Sequence, residues 1–294
     1  MTGLLGLALL AGCTGTPSPA PAGPAAAPAV VTPPAAGPYV ALGDSYTSGL
    51  GIAPEAGTPA GCHRSTVNYP ALVAEELKVT GFTDASCSSA TTADLTAAQR
   101  VTGGSNPPQL DALSTGTRLV TVGIGGNDVG FLEVLSRCAM AGLTRTDCRS
   151  VFAAKDGTDE VTGRIATAGE RVGAVLAETK RRAPAARVLV VGYPALLPVD
   201  PAGCTKAFGF SVAAGDLRYL VGKFEELNAE LKRRAQAAGA RFVDTVAAGR
   251  DMCAPVDTRW IEPPQPAPGL SPVHPNAAGQ RGVAAAVLAE LARP

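Results

Sequence analysis

Short apolar segments alternate with longer amphipathic ones from residue 38 to the end of the chain, and this alternation limits the possible folds more than any other feature. Five strands are predicted, at Tyr39–Leu42, Phe82–Ser86, Arg118–Val122, Val188–Val191 and Arg241–Asp244. Apolar residues recur at helical spacing in long segments between and after them, at 160–182, 217–231 and 276–292. After a further helix over 129–139, residues 140–158 are predicted to form a loop. Because strands that alternate with helices form a parallel sheet covered on both sides, the sequence predicts a three-layer α/β/α domain with five parallel strands, wound like flavodoxin.

Two of these strands end in glycine and lead directly into residues that can carry chemistry. Ser45 follows the first strand in Gly43-Asp44-Ser45, and Asn127 follows the third in Gly125-Gly126-Asn127. In open α/β sheets, reacting groups gather at the carboxyl ends of the strands. A serine there can act as a nucleophile if a base takes its proton and hydrogen-bond donors hold the oxyanion. Ser45 is therefore the candidate nucleophile and Asn127 a candidate donor, although both residue types are also common helix caps.

The base must come from one of two histidines, His63 and His274. His274 stands just before the last predicted helix, whose positive end disfavours the imidazolium form. His63 lies beside Cys62 and is expected to be a solvated loop residue. His274 is therefore the candidate general base.

The segments that carry Ser45, Asn127 and His274, in this order along the chain, resemble the motifs of the SGNH (GDSL-type) hydrolases. Further blocks resemble the actinobacterial secreted lipase and esterase branch of that family, namely Cys62-His63-Arg64-Ser65 and Cys87-Ser88-Ser89-Ala90-Thr91-Thr92. The resemblance covers residues 38–294 and implies the SGNH hydrolase fold. It also implies hydrolysis of carboxylic esters through an acyl-enzyme on Ser45, with no metal or organic cofactor.

The same resemblance implies roles for further residues. The oxyanion hole would combine the backbone N–H of Ser45, the side chain of Asn127 and the backbone N–H of Ser89, where the family has glycine. The family's aspartate three residues before the histidine is replaced here by Ser271. The backbone carbonyl of Ser271 is expected to orient His274, with Glu262 and Asp257 as alternatives in the same loop.

Of the seven cysteines, six form an even set at 62, 87, 138, 148, 204 and 253, which indicates an oxidising compartment. Cys13 stands apart, and the resemblance implies that the other six pair in sequence, as Cys62–Cys87, Cys138–Cys148 and Cys204–Cys253. Buried thiols or a metal site are the alternative. The chain lacks a Cys-x-x-Cys pair and has only two histidines, and both facts argue against a zinc site.

The N-terminal segment has the composition of an export signal followed by a tether. Residues 1–13 are predicted to be a signal peptide that ends in a lipobox, Leu10-Ala11-Gly12-Cys13, with Cys13 lipidated. Residues 14–37, rich in proline and alanine, are predicted to be an extended linker before the hydrolase domain at 38–294. The protein is thus expected on the outer face of a bacterial cell membrane, with plain secretion as the alternative.

Composition narrows the range of partners. A formal net charge of +0 gives no indication of a nucleic-acid partner, and 4% aromatic residues argue against a wide sugar-binding platform. A monomer that acts on a small-molecule or lipid ester is expected, with membrane contact through the anchor at Cys13. Two alternatives remain: a carbohydrate O-deacetylase of the same fold, and a catalytically inactive surface lipoprotein that binds a ligand. The inactive lipoprotein gains weight because Ser271 and Ser89 stand where the family has aspartate and glycine.

Overall fold

A computed structural model describes Met1, Gly3 and residues 37–205, 208 and 212–294. Most of the predicted signal peptide, Cys13 and nearly all of the predicted linker lie outside the described residues. In chain order the elements are β1 (Tyr39–Gly43), α1 (Ser45–Ser48), α2 (Tyr69–Leu77), β2 (Phe82–Asp84), β3 (Gln99–Val101), β4 (Gly104–Asn106), β5 (Leu119–Gly123), α3 (Gly126–Val129), α4 (Phe131–Thr144), α5 (Cys148–Val151), α6 (Glu160–Arg182), β6 (Arg187–Val191), α7 (Ala214–Ala237), β7 (Arg241–Val243) and α8 (Ala277–Ala292). Short 3₁₀ helices occupy Ala60–Cys62, Thr92–Leu95, Gln109–Ala112 and Pro201–Cys204.

Five of the strands form one parallel sheet in the order β2-β1-β5-β6-β7. Counted along the chain, this is the order 2-1-3-4-5 of flavodoxin-like folds, whose ligands bind at the point where the winding reverses. That point lies between β1 and β5, the strands that precede Ser45 and Asn127. The predicted fold class is confirmed.

Alternate residues of the strands point to opposite faces of the sheet, and each face has its own core. Val40 and Leu42 of β1 belong to a core that is completed by α4, α6 and α7. Tyr39 and Ala41 belong to a second core, which α2 and α8 complete. Two helical layers therefore enclose the sheet and hold its carboxyl edge in place.

The region around 140–158 differs from the predicted loop. Helix α4 continues to Thr144, and α5 forms over Cys148–Val151. Met, Ala and Leu at 140, 141 and 143 favour helix, and the Asp147 side chain caps α5 by accepting a hydrogen bond from the Ser150 N–H at 2.9 Å. Closing a short chain segment with a disulfide does not prevent it from being helical.

The disulfides are the three pairs that the resemblance implies, Cys62–Cys87, Cys138–Cys148 and Cys204–Cys253. The first ties the loop after α1 to the segment that follows β2, close to the carboxyl edge of the sheet. Within the described ranges, none of the helices combines the length and the hydropathy needed to cross a bilayer.

Candidate active site

Ser45 is the first residue of α1 and lies directly beyond the end of β1. Asp44 caps this short helix, since its Oδ1 accepts a hydrogen bond from the Tyr46 N–H at 2.9 Å. Gly43 is required before it, because a Cβ at this position would lie 2.6 Å from the carbonyl oxygen of Gly123 on β5. The close approach of β1 and β5 and the cap at Asp44 together fix where Ser45 stands.

Asp44 also joins the ends of three neighbouring strands. The Tyr193 hydroxyl, just beyond β6, donates to Asp44 Oδ2 at 2.5 Å and accepts from the Gly126 N–H, beyond β5, at 2.8 Å. Burial raises the pKa of Asp44 to about 7, against the opposing effect of the hydrogen bonds from Tyr193 and Tyr46. Asp44 therefore braces the edge of the sheet. Tyr193 is not among the site residues predicted from the sequence, although its position directly after a predicted strand and Gly192 was an available signal.

His274 reaches Ser45 from the loop before α8. Its Nε2 lies 2.8 Å from Ser45 Oγ, and its Nδ1 lies 2.7 Å from the carbonyl oxygen of Pro272. A carbonyl oxygen can only accept, so Nδ1 carries the proton and Nε2 offers its lone pair to the serine hydroxyl. Burial lowers the pKa of His274 below its usual value, with partial opposition from the Pro272 hydrogen bond.

The residue that orients His274 was predicted wrongly as Ser271. The acceptor is the carbonyl of Pro272, one residue later. The cause is the backbone of Val273, whose φ of 59° turns the chain so that the Pro272 carbonyl faces the imidazole. Ser271 instead lies beside Gly51. With Val273 in the left-handed conformation, the carbonyl that contacts His274 is thus that of Pro272, one residue after the predicted one.

The left-handed Val273 is held by contacts from two sides. This conformation is rare for β-branched residues and costs roughly 1–2 kcal/mol. The Val273 N–H donates to the Glu262 carbonyl at 3.0 Å, and the Tyr46 hydroxyl donates to the Val273 carbonyl at 2.5 Å. The Tyr46 ring also contacts the imidazole, with ring centroids 5.0 Å apart. We call residues 272–274, held in this way, the His274 turn.

Glu262, one of the two alternative orienting residues, contributes its backbone to the His274 turn. Its carboxylate instead accepts hydrogen bonds from Arg259 at 2.6 Å and from Asn276 at 2.8 Å. The other alternative, Asp257, does not line the cleft around Ser45. The His274 ring is therefore oriented by a neutral acceptor.

The residues that carry the three candidate oxyanion donors, Ser45, Ser89 and Asn127, line one cleft together with His274. Asn127 Nδ2 donates one hydrogen to the Ala90 carbonyl at 2.9 Å, which leaves its second hydrogen for another acceptor. The backbone N–H groups of Ser45 and Ser89 have no hydrogen-bond acceptor among the described residues. Ser89 takes a φ of 64°, a conformation that favours glycine. Serine thus adopts here the backbone for which glycine is better suited.

The cleft has a volume of about 190 Å³ and a largely apolar wall. The wall is formed by Leu50, Phe131, Leu132, Leu135, Leu196, Phe224 and Leu227, with Tyr46, Tyr193 and Val273 near the histidine. His63 does not line it and instead lies 3.0 Å from Glu55 through its Nδ1. In the part of the chain that the structure describes, no cluster of three or more His, Cys, Asp or Glu residues is arranged to hold a metal ion.

The fold and the site define a three-layer α/β protein with its candidate active site at the carboxyl edge of the sheet, beside β1 and β5. The chain belongs to the GDSL-like lipase/acylhydrolase family, whose model matches residues 41–281.

Relatives of known name agree with this assignment. The chain is 42% identical to Lipase 2 of Streptomyces coelicolor over 269 residues, which cover 88% of this chain and 86% of that protein. Among solved structures, the extracellular lipase of Streptomyces rimosus matches with a TM-score of 0.72 and 30% identity, over 86% of this chain and 99% of that one. Phospholipase A1 of Streptomyces albidoflavus matches with a TM-score of 0.68 and 29% identity, over 87% and 99%. The protein is accordingly a carboxylic ester hydrolase, and these findings do not favour the deacetylase or the inactive lipoprotein.

The hydroxyl of Tyr46 provides a direct test of the His274 turn. We expect Tyr46→Phe to lower kcat on p-nitrophenyl butyrate about tenfold with little change in KM, because about 1–2 kcal/mol of support for the imidazole position is lost. The acid limb of the pH profile should also move toward the ordinary histidine pKa, since the ring becomes more solvated.

Tyr39→Phe is the matched control, because the Tyr39 hydroxyl is also buried but bonds to Thr121 at 2.8 Å on the opposite face of the sheet. This variant should lose a similar amount of stability in urea unfolding and keep its kcat. An unchanged kcat and pH profile in Tyr46→Phe would contradict the positioning role.

Proposed function

We propose that the protein hydrolyses its ester substrates through an acyl-enzyme on Ser45, with His274 as the general base. The observation that carries this proposal is the 2.8 Å contact between Ser45 Oγ and His274 Nε2 at the carboxyl edge of the sheet. A serine and an imidazole at this distance, with the second ring nitrogen oriented by a further group, form the arrangement that nucleophilic acyl transfer requires.

The reaction has two stages, acylation of Ser45 and hydrolysis of the acyl-enzyme. Ser45 Oγ attacks the carbonyl carbon while its proton passes to His274 Nε2, and the tetrahedral intermediate then expels the alcohol, which takes the proton from His274. Water repeats the sequence on the acyl-enzyme: it gives a proton to His274, and the acid leaves as Ser45 recovers its hydrogen. The carbonyl of Pro272 keeps the correct tautomer throughout. As a neutral acceptor it stabilises the imidazolium less than a carboxylate would, so charge stabilisation must come mainly from the oxyanion side.

The oxyanion would be held by the N–H groups of Ser45 and Ser89 and by the second amide hydrogen of Asn127. All three groups border the cleft, and the first two have no acceptor within the described residues. Preformed donors of this kind contribute about 10²–10³ each to kcat. The left-handed backbone at Ser89 supports this assignment, because it leaves the N–H of that residue unpaired at the cleft wall.

The substrate we propose is a lipid ester. The leucine and phenylalanine side chains of the cleft wall offer an apolar surface to an acyl chain, next to the polar groups at Ser45. The names of the relatives support the same substrate class, because two of them are a lipase and a phospholipase.

The two histidines allow a matched test of the base. We expect His274→Ala to lower kcat/KM on p-nitrophenyl butyrate by at least about 10³-fold and His63→Ala to leave it unchanged. The wild-type kcat/KM should rise with pH and reach a plateau, with an apparent pKa below the usual 6.5 for histidine. The sign follows from burial, which destabilises the charged imidazolium, so that the active neutral form persists to lower pH.

Circular dichroism of both variants serves as the folding control. A folded His274→Ala protein with wild-type activity, or a wild-type profile whose acid limb lies above pH 6.5, would contradict the assignment of His274.

We also propose that residues 1–13 direct export, that Cys13 is lipidated, and that residues 14–37 tether the hydrolase domain at 38–294 to the outer face of the cell membrane. The lipobox sequence and the name of the extracellular Streptomyces rimosus lipase support export. Metabolic labelling with a palmitate probe in an actinobacterial host should mark the wild-type chain and fail to mark Cys13→Ser. Equal labelling of both proteins, or none of either, would contradict the anchor.

A further inference from the structure

Residues 87–90 form a tight turn that carries Ser89, whose backbone N–H is one of the proposed oxyanion donors. The Ala90 N–H donates to the Cys87 carbonyl at 3.1 Å, which closes a four-residue β-turn. Ser89, the third residue, has a φ of 64°, whereas Ser88 before it has no positive φ. This combination is that of a type II turn, which favours glycine as its third residue.

A type I turn would spare Ser89 this conformation. The two turn types have the same ends and differ by a rotation of about 180° of the central peptide unit, which consists here of the Ser88 carbonyl and the Ser89 N–H. The type I turn needs no positive φ and is compatible with most residues. The two groups of a trans peptide point in opposite directions, so the rotation would remove the proposed donor from the cleft and put a carbonyl oxygen in its place. Serine therefore favours the turn that lacks the oxyanion donor.

Both ends of the 87–90 turn are fixed by contacts that leave the central peptide unit free to rotate. The Cys87 N–H donates to the Gly43 carbonyl at 3.0 Å, at the end of β1. At the other end, the Ala90 carbonyl accepts from Asn127 at 2.9 Å. Neither contact involves the central peptide unit, so both are compatible with either turn type.

Gln99, the first residue of β3, makes the contact that distinguishes the two turn types. Its Nε2 donates to the Ser88 carbonyl at 2.8 Å, and this is the one hydrogen bond to the central peptide unit in the ranges 37–205 and 212–294. The side chain is buried, and its Oε1 has no hydrogen-bond partner among the residues that the structure describes. A buried acceptor without a partner costs free energy, so the stability of the β3–β4 hairpin does not account for a glutamine here.

We propose that Gln99 is a positioning residue that holds the 87–90 turn in the type II conformation and thereby keeps the oxyanion donor of Ser89 in place. This inference rests on the proposed function, in which the Ser89 N–H is one of three donors. The hydrogen bond from Gln99 offsets the cost of a positive φ, so that serine can stand where the family has glycine.

The effect of Gln99→Met in two backgrounds of the full-length chain tests the proposal. Methionine has a similar length and lacks the donor. In the wild-type background we expect kcat on p-nitrophenyl butyrate to fall about tenfold, the size expected for the loss of one hydrogen bond. KM should change little, because the oxyanion forms only after the substrate has bound. In the Ser89→Gly background the loss should be below about threefold, since glycine takes a positive φ without steric cost.

Asn106→Ala is the matched control. Asn106 is buried and faces Gln99 across the β3–β4 hairpin, but its side chain contacts Arg64 and the Ala85 carbonyl and not the 87–90 turn. Any change in kcat should therefore be by the same factor in both backgrounds. Gln99→Leu is a second variant without the donor, and urea unfolding shows which variants are folded.

An unchanged kcat in the folded Gln99 variants would overturn the proposal. Equal losses in the two backgrounds would also overturn it, because a purely structural role of Gln99 would not depend on the residue at position 89. Rescue of Asn106→Ala by Ser89→Gly would do the same, since glycine would then stabilise the site in general.

These outcomes can be distinguished from a failure of the proposed function. A folded parent that neither hydrolyses the ester nor reacts with a fluorophosphonate probe would overturn the role of Ser45, and this inference with it. An active parent that is labelled on Ser45, and in which Gln99→Met costs the same factor of kcat in both backgrounds, would overturn the role of Gln99 alone.

Discussion

The hydrogen bonds around the buried carboxyl of Asp44 hold the rest of the site together. Through Tyr193, Asp44 is connected to the N–H of Gly126, so the residues that follow β1, β5 and β6 are fixed relative to one another. Ser45 is adjacent to Asp44, and Asn127 is adjacent to Gly126. The proposed nucleophile and one proposed oxyanion donor therefore take their separation from a network that lies one residue away from them, in which burial raises the pKa of Asp44 to about 7.

His274 is positioned differently, by a strained backbone rather than by a carboxylate. The left-handed Val273 places the Pro272 carbonyl against the imidazole, and Tyr46, which directly follows Ser45, holds that conformation through its hydroxyl. Gln280 adds a further tie, since its side chain donates to the Tyr46 carbonyl at 3.0 Å and accepts the Tyr69 N–H at 2.7 Å. Ser45 and His274 are thus coupled through one tyrosine, and the imidazole is oriented without an acidic residue.

The parts of this arrangement that depend on local pattern could be predicted from the sequence, and those that depend on distant contacts could not. Ser45 and Asn127 follow apolar strands that end in glycine, so their place at the sheet edge was readable. Tyr193 meets Asp44 across 149 residues of sequence, a separation for which no local pattern gives the pairing. The carbonyl that orients His274 belongs to Pro272 and not to Ser271 because of a single backbone angle at Val273. A valine at that position gives no sequence signal for a positive φ.

We propose above all that Ser45 is a nucleophile activated by a histidine without a carboxylate partner. Reaction of the folded full-length chain with a fluorophosphonate probe, followed by peptide mass spectrometry, tests it most directly. We expect a single adduct on Ser45, formed rapidly by the wild-type protein and at least about 10³-fold more slowly by His274→Ala. A folded wild-type protein without an adduct, or with the adduct on another serine, would contradict it.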